Sequence, residues 1–212
     1  MSTPIRAALF DMDGVLRHWT GRGRTTAEHS ARLPAGTLRR LAYGEAFTLA
    51  NLGILTHHQW LESVRATLVA EFGPRAAGAV DVWAADAGTL APEAVALVGA
   101  LRGRGVRVGV LSNNTTGLRS DLERLGFEEF DVLVNSAEEG VVKPSPLLYR
   151  IAAERMGHAP EELFFTDDKA LNVTAARYVG MRAERYTTPI SLSAQLSTIG
   201  LLTTRSGDAP AA

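Results

Sequence analysis

Asp11 and Asp13 stand one residue apart at the end of a short apolar run, Ala7-Ala8-Leu9-Phe10, and Gly14 follows them. In extended backbone, residues i and i+2 point the same way, so both carboxylates can face one small volume beyond the run. Two like charges that close repel unless a cation lies between them or one takes a proton. Mg²⁺ suits such a pair, because it keeps several waters and needs few protein oxygens. Gly14 lets the backbone turn away sharply. The same residues also fit a strand closed by an ordinary Asp-Gly turn. The rest of the chain has to decide between the two.

Two further polar clusters end apolar runs: Ser112-Asn113-Asn114 after residues 107–111, and Asp167-Asp168 after residues 163–166. Lys143 lies in Val141-Val142-Lys143-Pro144-Ser145-Pro146, and Lys169 is the only other lysine. Each has an ordinary structural reading. Ser112-Asn113-Asn114 could cap the next helix. Lys143 could be a solvated loop charge. The acid pair could sit at a helix start, favoured by its dipole. Asn172 reads as a local hydrogen-bonding residue.

The elements that would position these groups follow from periodicity. Strands are predicted at residues 7–10, 107–111, 132–134, 163–166 and 182–186, as short apolar runs. Helices are predicted at 92–101, 117–125, 146–156, 171–179 and about 190–199, several closed by glycine. Alternating strands and helices predict an α/β fold with a Rossmann-like parallel sheet and helices on both faces. Ligands bind beyond the carboxyl ends of such strands, where the three clusters fall. Residues 15–25 read as loop, and 26–87 as helical throughout with no strand. Thr56 and Gln59 form a capping box ahead of Trp60, Val64, Leu68 and Phe72 at near-helical spacing. The tail from Thr203 is expected to fray.

Composition narrows the field. The chain has 212 residues, 46% apolar, with a net charge of -1 and no cysteine. This argues for a folded chain with no electrostatic footprint for nucleic acid or an anionic membrane, and no disulfide or thiolate chemistry. No apolar segment is long enough to span a bilayer, and nothing resembles a signal peptide, so a cytoplasmic location is expected.

Taken in order, Asp11-Met12-Asp13-Gly14-Val15, Leu111-Ser112-Asn113, Lys143-Pro144-Ser145-Pro146 and Phe165-Thr166-Asp167-Asp168 resemble the motifs of the haloacid dehalogenase-like hydrolase superfamily. The likeness covers nearly the whole chain outside the helical insert. That insert resembles the cap of the subgroup holding small-molecule phosphatases, the phosphatase domain of epoxide hydrolase and 2-haloacid dehalogenases. The resemblance implies a core of residues 1–14 and 89–212 and a cap of 15–88. It implies Asp11 as nucleophile and Asp13 as general acid/base. It implies Mg²⁺ held by Asp11, the Asp13 carbonyl and Asp168, with Asp167 acting through water. Ser112, the Asn113 N–H and Lys143 would hold phosphate. Lys143 would also hold the acid cluster together.

Dehalogenases of this fold lack the second aspartate, so Asp13 favours phosphate chemistry on a small phosphorylated metabolite. A phosphosugar mutase would use the same motifs, and a non-catalytic binding member of the fold is the other alternative. Arg17 and Trp19 follow the first motif closely. Arg17 is expected either to meet a second anionic group or to lie exposed in a loop. Trp19 is expected either to stack on a substrate ring or to pack the cap base. Trp60 and Trp83 read as cap core. His57 and His58 sit at a helix start away from the acidic clusters. Lys169 could pair with Asp167. A monomer or homodimer is expected.

Overall fold

The computed structural model describes residues 3–202. Its elements in chain order begin with β1 (Ala7–Phe10), β2 (Arg17–His18), α1 (Arg22–Ser30), α2 (Thr37–Ala42), α3 (Glu45–Asn51), α4 (His57–Phe72) and α5 (Ala79–Ala84). They continue with β3 (Thr89–Leu90), α6 (Pro92–Arg102), β4 (Arg107–Ser112), α7 (Leu118–Leu125), β5 (Val132–Asn135) and α8 (Ser136–Glu139). Last come α9 (Pro146–Met156), β6 (Leu163–Asp167), α10 (Ala170–Tyr178), β7 (Arg182–Arg185) and α11 (Pro189–Thr198). The expected fraying from Thr203 lies outside the described residues.

Five strands form one sheet in the order β5-β4-β1-β6-β7. Every pairing in it is parallel. β1 is central and buried on both sides, which is why it is wholly apolar. Its residues alternate between two cores: Ala8 and Phe10 pack on one face, Ala7 and Leu9 on the other. The α/β, Rossmann-like architecture expected from the sequence is present, with predicted and observed strands differing by at most a residue or so at their ends.

The helices between β1 and β3 carry a third apolar cluster drawn only from residues 27–83, including Leu38, Trp60, Val64 and Leu68. α4 starts as expected: the Thr56 hydroxyl accepts from the Gln59 backbone N–H at 3.1 Å, and the Gln59 side-chain Oε1 accepts from the Thr56 N–H at 2.8 Å. Such a cap contributes about 1 kcal/mol.

The segment read as loop is more ordered than expected. Arg17–His18 pairs antiparallel with Thr89–Leu90, so the chain's entry to and exit from the helical block run side by side. α1 begins at Arg22, four residues earlier than the helical pattern suggested. Two-residue strands are too short to show a period, which is why they escape a pattern reading. Among the described residues no helix is long and apolar enough to cross a membrane.

Candidate active site

The carboxyl ends of β1, β4 and β6 converge, and a buried lysine ties them together. The Lys143 ammonium donates to Asp11 Oδ1 at 2.7 Å, to Asp167 Oδ2 at 2.7 Å and to the Leu111 carbonyl at 2.9 Å. All three of its protons are used, and the residue is only 4% exposed. Burial alone would discharge it, but Asp11 and Asp167 outweigh that and hold it charged. Asn113 fixes the lysine's backbone, donating to its carbonyl at 2.8 Å and accepting from its N–H at 2.7 Å. The Asn113 side chain is therefore a clip on the Lys143 loop. A direct lysine–phosphate contact would require one of the three ammonium bonds to be exchanged.

Asp11 Oδ1 also accepts from the Met12 N–H at 2.8 Å. Its other oxygen has no hydrogen-bond partner among the described residues. Burial pushes the Asp11 carboxyl up to about 7; the Lys143 ammonium draws it back and neighbouring Asp167 adds to the rise. Asp167 is also penalised by burial. The Lys143 ammonium, the Lys169 N–H and the Asn172 amide outweigh the penalty and hold it below the usual carboxylate range. Lys169 reaches Asp167 through its backbone N–H, at 2.8 Å, and no side-chain ion pair joins the two among the described residues. The expected Lys169–Asp167 charge pairing is thus corrected. Asn172 donates to both Asp167 oxygens, at 3.0 and 2.9 Å.

Asp168 completes the cluster. Oxygens of Asp11, Asp167 and Asp168 lie within 4.8 Å of one another. Burial and the adjacent Asp167 raise the Asp168 carboxyl, and its buried Oδ1 has no hydrogen-bond partner. Three ionised carboxylates around one ammonium leave two negative charges, which a divalent cation would balance. An orphaned carboxylate oxygen in such a cluster is what a hard cation needs. Ser112 Oγ is likewise buried without a partner at the end of β4.

Gly14 makes room for this arrangement. Its φ is +97°, and a Cβ there would lie 2.8 Å from Asp168 Cγ and Oδ2. Gly14→Ala is expected to destabilise the fold by about 1–3 kcal/mol through backbone strain. It should also push Asp168 off the cluster and weaken Mg²⁺ binding. Thermal denaturation with and without Mg²⁺ checks both: the wild type should gain more from the metal than the variant.

Asp13 points into a different set of partners. Its Oδ1 accepts from Arg17 Nε and Trp19 Nε1, both at 2.7 Å, and its Oδ2 from Arg17 Nη2 at 3.0 Å and Asn114 Nδ2 at 2.9 Å. Arg17 is neither exposed nor open to a second anionic ligand, as the sequence suggested. It is completely buried, and it also donates to Asp121 at 2.9 Å and to the Ala87 carbonyl at 3.3 Å. Burial opposes its charge, but Asp13 and Asp121 prevail and keep the guanidinium protonated. Trp19 is 47% exposed and carries the Arg17 guanidinium 4.5 Å over its ring.

Asp121 was missed in sequence, and His57, read there as a helix-start residue away from the acidic clusters, lies on the cavity that Asp13 also lines. Asp121, on α7, holds Arg17 from 104 positions away. His57, at the start of α4, packs against Gly117 and lies 2.7 Å from the Thr115 hydroxyl. Burial lowers the His57 imidazole below its ordinary value. A cavity of about 480 Å³ opens here, lined by Asp13, Asn113, Asn114, His57 and Lys169 and by aromatic side chains of the helical block.

The family model for haloacid dehalogenase-like hydrolases matches residues 5–180. The chain is 32% identical over 191 residues to Phosphatase MT3486 of Mycobacterium tuberculosis, covering 84% of this chain and 86% of that one. It is similar in fold to an aspartate-to-alanine variant of a HAD family enzyme from Bacteroides thetaiotaomicron, in complex with magnesium and inorganic phosphate. There the TM-score is 0.70 at 18% identity, over 86% of this chain and 94% of that one. L-2-haloacid dehalogenase from Xanthobacter autotrophicus shares the fold too, with a TM-score of 0.63 at 20% identity over 94% and 85% of the two chains. With the family model spanning most of its length, this chain belongs to the haloacid dehalogenase-like hydrolases.

Proposed function

We propose that this hydrolase is a Mg²⁺-dependent phosphatase acting on a small phosphorylated metabolite through an aspartyl-phosphate on Asp11. The observation that carries this reading is the convergence of Asp11, Asp167 and Asp168 oxygens around Lys143, with one Asp168 oxygen unpartnered. Dehalogenation would use Asp11 but has no use for a divalent-cation site, because halide leaves without protonation and without a divalent cation. The similarity to a mycobacterial phosphatase over most of both chains points the same way.

In this reading the unpartnered Asp11 oxygen attacks phosphorus, and the bond from phosphorus to the ester oxygen breaks. Asp13 gives a proton to the leaving alkoxide, then takes one from the water that attacks the phosphoenzyme. Phosphate departs and the Asp11 carboxylate is restored. Ser112 Oγ and the Asn113 N–H receive phosphate oxygens. Asp11, Asp168 and the Asp13 carbonyl would hold Mg²⁺. Asp167 has both oxygens occupied by Lys143, Asn172 and the Lys169 N–H, which suits a role through water. When bound, Mg²⁺ offsets negative charge on the phosphoryl group and on the acid cluster. Residues 15–88 act as a cap over this site, hinged where β2 and β3 pair, excluding water when closed.

Phosphate release from p-nitrophenyl phosphate tests the proposal. Release is expected to need Mg²⁺, to fall about 10²-fold or more in excess chelator, and to return when Mg²⁺ is restored. Metal-independent release would remove Asp168 from the mechanism. No release, together with no Mg²⁺-dependent binding of a phosphate mimic, would move the assignment to a non-catalytic binding member of the fold.

A further inference from the structure

Trp19, Trp60 and Trp83 all line the cavity, and the chain has only three tryptophans. Tyr43, Phe47 and Leu61 join them. The rings form a connected set: Tyr43 to Phe47 at 5.0 Å, Phe47 to Trp60 at 5.1 Å and Trp60 to Trp83 at 5.4 Å between centroids. The first and last of these pairs are edge-to-face and the middle one is tilted, so each ring is packed against the next. Phe47, Trp60 and Trp83 come from α3, α4 and α5 and Tyr43 follows the end of α2, so this part of the aromatic wall is built by the block's own packing. Tyr43 nevertheless stays 50% exposed, as does nearly half of Trp19, so aromatic surface is left open at the cavity.

The charged groups in the wall are already committed. Asp121 is held by Arg17 and Arg124, and Asp86 accepts from the Gly23 and Gly88 N–H groups. Arg17 is consumed by Asp13 and Asp121. Lys169, beside the acid cluster, is the only lysine or arginine lining the cavity among the described residues. Away from Lys169, a second phosphate or a carboxylate on the substrate would therefore meet rings, uncharged polar groups and the carboxylates of Asp86 and Asp121. Arg24 and Arg39 act on Tyr43 but do not line the cavity. The remaining polar groups, such as Thr48 and Asn51, are uncharged. The volume of about 480 Å³ falls in the range of small-molecule sites.

We infer that the substrate is a phosphate monoester of an uncharged, largely apolar alcohol, whose hydrocarbon or ring portion lies between Trp19, Tyr43, Phe47, Trp60 and Trp83. This rests on the phosphatase reading above and names its substrate class. It also separates a phosphatase from a phosphosugar mutase, whose bisphosphate intermediate would need a second cationic pocket.

Four esters of non-allylic primary alcohols test it: phenethyl phosphate, citronellyl phosphate, glucose 6-phosphate and phosphoserine, with phosphocholine as a fifth. With Mg²⁺ present, kcat/KM for the two apolar esters is expected to exceed the others by about tenfold or more. Phenethylphosphonate should quench tryptophan fluorescence and bind more tightly than a glucose-derived phosphonate, a readout independent of turnover. Tyr43→Ser should raise KM for phenethyl phosphate more than for methyl phosphate. Faster hydrolysis of the sugar phosphate, phosphoserine or phosphocholine would overturn the substrate class and leave the phosphatase standing. Interconversion of a sugar bisphosphate would also overturn it. Hydrolysis of no ester at all would instead sink the parent reading, and tight phosphonate binding would then still report on the pocket.

Discussion

Asp11→Asn is expected to lower phosphate release by about 10⁴-fold while leaving the protein folded. The amide oxygen can still accept from Met12 N–H and Lys143, the two bonds that now position the carboxylate. Lys143 keeps Asp167 and the Leu111 carbonyl as partners, so its charge is not orphaned. What disappears is the second oxygen, unpartnered in the cluster, which in the proposed mechanism forms the bond to phosphorus. A matched melting profile for the variant makes the loss chemical rather than structural. Acid quenching during wild-type turnover should trap one phosphoryl group per chain, absent from the variant. Single-turnover hydrolysis in ¹⁸O-water then separates two chemistries of the same carboxylate. In a phosphoenzyme, water attacks phosphorus and the label leaves in phosphate. In an alkyl-ester intermediate, water attacks the carboxyl carbon and the label stays on Asp11. Label on Asp11 would return the chain to dehalogenase-type chemistry.

The parts of this site that were legible in sequence are those whose geometry is local. β1 and β6 are short apolar runs, and acids at their ends must emerge on one rim of a parallel sheet. The alternation of Ala7 to Phe10 between two cores leaves no freedom in where Asp11 starts. The α4 capping box was readable because its partners lie three residues apart. Arg17 was not readable. Four residues after Asp13 it looks like a solvated loop cation, and only the fold brings Asp121 to it. His57 escaped for a similar reason: its partner Thr115 lies 58 positions away, on the loop after β4. The aromatic wall was half legible. Trp60 and Trp83 do pack with the helical block, but a ring at a core edge reads identically in sequence whether its other face meets protein or a cavity. Trp19 showed one signal, its closeness to the first motif. Its Nε1–H bond to Asp13 depends on a turn that Gly14 permits.

Asp13→Asn is expected to split the two half-reactions, and Arg17 explains why. Both Asp13 oxygens accept two donors each, so the carboxylate has no lone pair left for a proton in this arrangement. That suits the base that takes a proton from water only once a donor has moved aside, and the same holds for the acid. Trp19 is the half-exposed donor among them, whereas Arg17 is completely buried. Arg17, on β2, also grips Asp121 of α7 and the carbonyl of Ala87, two residues before β3, so it ties Asp13 to both ends of the helical block. With Asn at position 13, an alkyl phosphate should lose about 10²–10⁴-fold, because its alkoxide needs a proton to leave. p-Nitrophenolate needs none. The variant should therefore release about one equivalent of p-nitrophenol in a burst and then stall, since water still lacks its base. Arg17→Lys keeps the charge and loses the paired contact, and should show a weaker version of the same split. Equal losses on both substrates with no burst would mean that Asp13 does not handle the proton and that Arg17 serves the fold alone.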